Sequence, residues 1–118
     1  MKNFLAIFNG TPEAVEKSGW NALSESERNK RSQAGIAAWH AWMENHKAQI
    51  VVAGGPIGKT KRVSGKGITD AHNAICGYVV VSADSHDAAA RLFDKHPHFA
   101  VLPGEAVEVM ECMPVPGA

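Results

Sequence analysis

Cysteine is scarce in this chain, and the scarcity excludes a good deal. Two cysteines without a Cys-x-x-Cys pair build neither a disulfide framework, nor a thiolate zinc site, nor a dithiol redox centre, so reduced thiols are expected. An excess of either charge is missing as well. Twelve Lys and Arg balance twelve Asp and Glu, which removes the long-range field that draws a protein to nucleic acid or to an anionic membrane surface. The one basic cluster, Lys59 to Arg62 with Lys66, holds no aromatic residue on which a base could stack, and no nucleic-acid partner is expected. Long apolar runs are absent too. The opening MKNFLAIFNG has one lysine and a brief apolar stretch before Asn9-Gly10, shorter than the apolar region of a signal peptide, and nothing later approaches bilayer length. The expectation is a cytoplasmic protein without a membrane partner. No solenoid repeat or low-complexity tract interrupts it.

At 118 residues the chain reads as a single domain, 1–118, large enough for one core. The stretch that organises it is Cys76 to His98. Tyr78 to Val81 is aromatic and β-branched, as a buried strand requires, and Asp84 and Ser85 then offer cap oxygens to a helix beginning near His86. Ala89, Leu92 and Phe93 give that helix its buried side. Pro97 is read as its stop, because proline lacks an N–H and disfavours a helical His96.

Earlier in the chain, Lys2 to Phe8 predicts a first strand with Phe4, Ala6 and Phe8 on one face and Leu5 and Ile7 on the other. Both faces are apolar and both need covering. Thr11-Pro12 caps a short turn over Glu13 to Lys17 that stops at Gly19. Ser24-Glu25-Ser26-Glu27 is a capping box, which starts a long helix at Glu25. From Ile36 the spacing Ile36, Trp39, Met43, widened by Ala38 and Trp42, marks its apolar stripe, and the helix fades around Asn45 to Lys47. Gln49 to Ala53 predicts a second strand broken by Gly54-Gly55-Pro56. Thr60 to Ser64 is a short edge ribbon before Gly65 and Gly67 loosen the chain, and Ala106 to Met113 is the last strand.

The order strand, helix, strand, strand, helix, strand is the ferredoxin-like βαββαβ plan: an α+β fold with both helices on one face of an antiparallel sheet in spatial order 4-1-3-2. Two consequences follow. The sheet's other face would be bare apolar surface, and stacking two such faces predicts a homodimer. Cys76 and Cys112 would be separated by the first strand, beyond the ~7 Å between α-carbons that a disulfide tolerates, which predicts free thiols.

Several groupings invite a chemical reading. Ala53-Gly54-Gly55-Pro56-Ile57-Gly58-Lys59-Thr60 satisfies a relaxed phosphate-loop pattern, but Val63, Gly65 and Gly67 oppose the helix that such a loop needs behind it, so a glycine-rich turn is the reading. Six histidines suggest a metal, yet His96 and His98 flank a proline at a helix stop, and His72 and His86 lie in unrelated segments. They read as surface side chains, with no metal expected. His40 sits at the edge of the long helix's stripe, between Trp39 and Met43. There it is either a general base or an imidazole bonded to a backbone carbonyl. Tyr78 likewise reads as strand packing or as a phenol at a pocket.

Gly55-Pro56 after an apolar strand, then Gly77-Tyr78-Val79-Val80-Val81 with Ala83-Asp84-Ser85, a helix ending at His96-Pro97, and a strand Val107-Glu108-Val109 resemble the YCII-related (DGPF-type) domain family. The Trp39-x-x-Trp42-Met43 helix is similar to one subgroup of that family, and the resemblance spans nearly the whole chain. It implies a dimeric α+β barrel. It also implies an acid/base dyad of a helix histidine and an aspartate after the Gly-Pro turn. This chain departs from that dyad: Gly54 holds the aspartate position, no aspartate follows until Asp70, and the histidine site counts back to Ala38, two residues before His40. The functional expectation is cofactor-free acid/base chemistry, isomerisation or elimination, on a small aromatic or lactone-like molecule, with His40 as catalytic base and Trp39, Trp42, Met43 and Tyr78 binding the substrate. The competing expectation is a non-catalytic homodimer that binds a small molecule or serves as an accessory protein.

Overall fold

The computed structural model describes residues 1–117. In chain order the elements are β1 (Lys2–Asn9), α1 (Pro12–Lys17), a 3-10 turn (Trp20–Ala22), α2 (Glu25–Asn45), β2 (Ile50–Pro56), β3 (Thr60–Ser64), β4 (Gly67–Ala71), β5 (Ile75–Ala83), α3 (His86–Arg91), α4 (Pro97–Ala100) and β6 (Ala106–Glu111). The main sheet runs β2-β5-β1-β6 with antiparallel neighbours throughout, which is the expected 4-1-3-2 order.

β1 lies at the centre because its alternation is apolar on both sides. Phe4, Ala6 and Phe8 are buried, and register places them opposite Val81, Val79 and Gly77 of β5 and Glu111, Val109 and Val107 of β6. On that same face Phe8 meets Trp39 of α2, with ring centres 4.7 Å apart, and Phe4 meets His86 at the start of α3, at 5.3 Å. Both long-range helices therefore cover one face, as the plan requires. Trp42, Ala89 and Phe93 complete its core. The opposite face carries Leu5, Ile7, Tyr78, Val80 and Met110, paired in register as Leu5 with Val80 and Met110 and as Ile7 with Tyr78.

α2 begins at the capping box. Ser24 Oγ accepts from the Glu27 amide, and the Glu27 carboxylate accepts from the Ser24 amide, so two otherwise orphaned N–H groups are satisfied. The expected stripe faces the sheet, with Trp42 buried and Trp39 and Met43 packed against the core, and Gly35 joins its buried side. Gly35 is buried against Leu102, where a Cβ would collide with the leucine, while Ile36 is 56% exposed and borders a cavity together with Trp39 and Met43. The face that packs is Gly35, Trp39, Trp42 and Met43.

Three segments correct the sequence reading. β2 passes through Gly54 and Gly55 instead of breaking there. The glycines form a bulge with φ of 61° and 152°, and a Cβ on Gly54 would strike the Tyr78 carbonyl, so only glycine permits this contact. The turn before β3 agrees with the sequence reading: Thr60 opens a strand, so no helix follows Gly58-Lys59 to complete a phosphate loop. Gly67 also does more than loosen the chain: it starts β4, which closes a hairpin on β3 with Val63 opposite Ile68. The hairpin forms a sheet of its own, and the radius of gyration of 16.2 Å exceeds the ~13–14 Å of a compact chain this long. Finally, α3 ends at Arg91, and Pro97 opens α4 instead of merely stopping a helix. Proline suits a first helical position, where its missing N–H costs nothing, and His96 caps it.

Candidate functional site

A cavity of about 420 Å³ lies between α2 and the sheet. That is within the range of small-molecule sites. α2 supplies Trp39, Trp42 and Met43 because residues three and four apart share a helix face, β1 supplies Phe8, and the β2 bulge brings its backbone to the rim at Gly54 and Gly55. The Trp42 indole N–H donates to the Leu92 carbonyl at 2.8 Å, which fixes that wall against the turn after α3.

The expected site residues divide. Trp39, Trp42 and Met43 border the cavity from α2, as does His40, whose ring nevertheless stays exposed at the mouth. No hydrogen bond orients His40 among the described residues. Tyr78 borders the cavity as part of β5, but its register with Ile7, while Val79 pairs with Ala6 on the helix side, directs the phenol to the opposite face of the sheet. Asp70 is paired with Lys61 on the hairpin and takes no part.

Two histidines that read as surface residues are in the core. His96 is 0% exposed and His98 is 8% exposed. His96 is packed by Trp39 at 4.6 Å, Trp42 at 4.8 Å and Phe8 at 5.1 Å between ring centres. Its Nδ1 accepts from the His98 amide at 3.0 Å, which puts its hydrogen on Nε2, and that atom has no hydrogen-bond partner among the described residues. Burial first, and then the nearby rings of His98 and His46, push the His96 pKa down to about 4. His98 borders the cavity itself. Burial lowers its pKa too, partly offset by its bond to the Asn9 carbonyl. Both rings are neutral at pH 7. The signal for them was the His-Pro-His spacing: proline at the first helical position makes the residue before it the cap and turns the residue after it into the same core.

Fold and cavity together define a ferredoxin-like α+β protein with an indole-walled cavity and a neutral, buried imidazole at its side. No family model and no curated protein matches the chain. Among solved structures it is similar to the 5-chloro-2-hydroxyhydroquinone dehydrochlorinase TftG from Burkholderia phenoliruptrix, in complex with 2,5-dihydroxybenzoquinone. The identity is 20%, with 94% of this chain and 93% of that chain covered and a TM-score of 0.55. At that identity the likeness establishes the shared fold.

Proposed function

We propose that the protein is a cofactor-free enzyme of the YCII-related kind that performs acid/base chemistry, isomerisation or elimination, on a small aromatic molecule held in the cavity. The observation that carries this reading is the cavity itself: about 420 Å³, walled by Phe8, Trp39 and Trp42, with one histidine at its mouth and another at its side. Flat aromatic walls suit a flat aromatic ligand, stacked or edge-on, each such contact contributing about 0.5–1.5 kcal/mol beyond burial. The dehydrochlorinase of similar fold, which acts on a chlorinated hydroxyhydroquinone, supports the same substrate class. His40 exchanges protons with substrate at the mouth, and Trp39, Trp42 and Met43 hold it, while Tyr78 acts through its strand and not its phenol.

The apolar outer face of the sheet, with Leu5, Ile7, Val80 and Met110 uncovered by any helix, supports a homodimer formed by stacking two such faces. Two exposed unpaired thiols suit a reducing compartment, the cytoplasm.

Calorimetric titration with 2,5-dihydroxybenzoquinone, beside chloride release from 5-chloro-2-hydroxyhydroquinone, tests the reading. Binding at micromolar to low-millimolar concentration with turnover that His40→Ala abolishes supports it. Binding without turnover would favour the non-catalytic, ligand-binding alternative, and no binding would overturn the assignment of the cavity.

A further inference from the structure

An isomerisation or elimination moves a proton at two places, and His40 at the mouth accounts for one of them. The second position is occupied by His98, whose protonation state can be read from its contacts. Its Nε2 lies 2.6 Å from the carbonyl oxygen of Asn9. A carbonyl only accepts, so Nε2 carries the hydrogen and, in the neutral ring, Nδ1 carries the lone pair. The acceptor is itself held: the same oxygen takes the Glu105 amide at 2.9 Å, and the Asn9 side-chain amide donates to Glu108.

The rest of the residue is equally constrained. The His98 amide donates to His96 Nδ1, its carbonyl accepts from the Gly104 amide at 2.9 Å, and a Cβ on Gly104 would collide with the ring at Nε2 and Cε1. Phe8 and Trp39 stand nearly edge-on to the imidazole, with ring centres 5.3 and 6.0 Å away. A base whose orientation is fixed before substrate arrives needs no reorganisation when it reacts.

We propose that Nδ1 of His98 is the base that takes the hydroxyl proton of a phenol bound in the cavity. This rests on the cavity being the ligand site. In the step the phenol O–H bond breaks, an N–H bond forms at Nδ1, and the electron pair stays on oxygen, giving a phenolate beside an imidazolium. No other reactant is consumed. Among the described residues no carboxylate borders the cavity, so an imidazolium there finds its counter-charge in the ligand's own phenolate. The Nε2–H donated to Asn9 then steadies the cation, and the two opposite charges attract strongly in an apolar surround. The substrate class narrows accordingly to aromatics with a free hydroxyl.

The test uses the full chain labelled with ¹⁵N-histidine and 4-nitrophenol as probe, because its absorbance separates phenol from phenolate. In the free protein at pH 7, Nε2 of His98 should be protonated and Nδ1 bare; the opposite tautomer overturns the proposal without any variant. At pH 6 the bound probe should show the phenolate band while the Nδ1 signal moves to its protonated position, and 4-nitroanisole, which has no proton to give, should leave Nδ1 bare. His98→Gln should bind 4-nitrophenol more weakly than wild type, having lost the ion pair, and should lose the phenolate band. A phenolate band retained in His98→Gln overturns the assignment while leaving the ligand site standing. Failure of wild type to bind either probe takes down the site and, with it, the base.

Discussion

Lowering the pH should destabilise this protein through one side chain above all others. His96 is fully buried among Trp39, Trp42 and Phe8, and its pKa falls from the ordinary 6.5 to about 4. An unfolded chain takes up a proton at this histidine near pH 6.5, whereas the folded chain refuses it until about pH 4. Stability from this group is therefore complete above pH 6.5, is lost as pH falls through the window from 6.5 to 4, and is flat below. At about 1.4 kcal/mol for each pH unit the loss amounts to roughly 3 kcal/mol, a large share of the 5–15 kcal/mol that holds a typical domain together. The assay is urea unfolding at pH 7, 6, 5 and 4, with wild type beside His96→Asn. Asparagine keeps a cap oxygen for the His98 amide and does not titrate, so the variant loses some packing at every pH but should lose much of the slope. The slope that remains belongs to His98, whose lowered pKa acts in the same direction, and at the acid end to Glu27, whose carboxyl is held low by its bonds to Ser24. Equal slopes in the two proteins, or a measured His96 pKa near 6.5, would refute the reasoning.

Three other expectations are independent of it. Gly104→Ala should force the His98 ring from its place and cost about 1–3 kcal/mol, with the His98 ring resonances shifting more than those of His40. Light scattering at micromolar concentration should give twice the chain mass, and Val80→Lys on the outer sheet face should halve it; a wild-type monomer would sink the dimer. Thiol titration under denaturing, non-reducing conditions should count both cysteines, and in the native protein Cys76 should react more slowly than Cys112, because burial raises its pKa.

Local signals carried most of the fold. The Ser24–Glu27 box set the start of α2, two-sided apolarity put β1 at the centre of the sheet, and the order of elements was enough for the 4-1-3-2 arrangement. What escaped the sequence depended on contacts between distant segments. Helical period found the cavity-facing stripe but not the burial of Gly35, because its partner Leu102 comes 67 positions later. The Gly54-Gly55 pair looked like a strand break because its partner, the Tyr78 carbonyl, is on another strand. His96 and His98 looked exposed because histidine is polar and proline ends helices. They are buried because the same proline begins α4, and the chain must then return past Gly104 to pair β6 with β1. The indole wall was legible, since Trp39, Trp42 and Met43 are neighbours on one helix. The imidazole beside it was not.

The most direct test of the central claim, a cavity that receives a hydroxylated aromatic between α2 and the sheet, is a ¹⁵N–¹H titration with 4-nitrophenol that follows indole and imidazole signals together. Saturable shifts of the Trp39 indole and the His98 ring, with Val63 and Ile68 of the hairpin unmoved, are the predicted result. Shifts confined to the outer face at Ile7 and Val80, or none at Trp39 and His98, would contradict it.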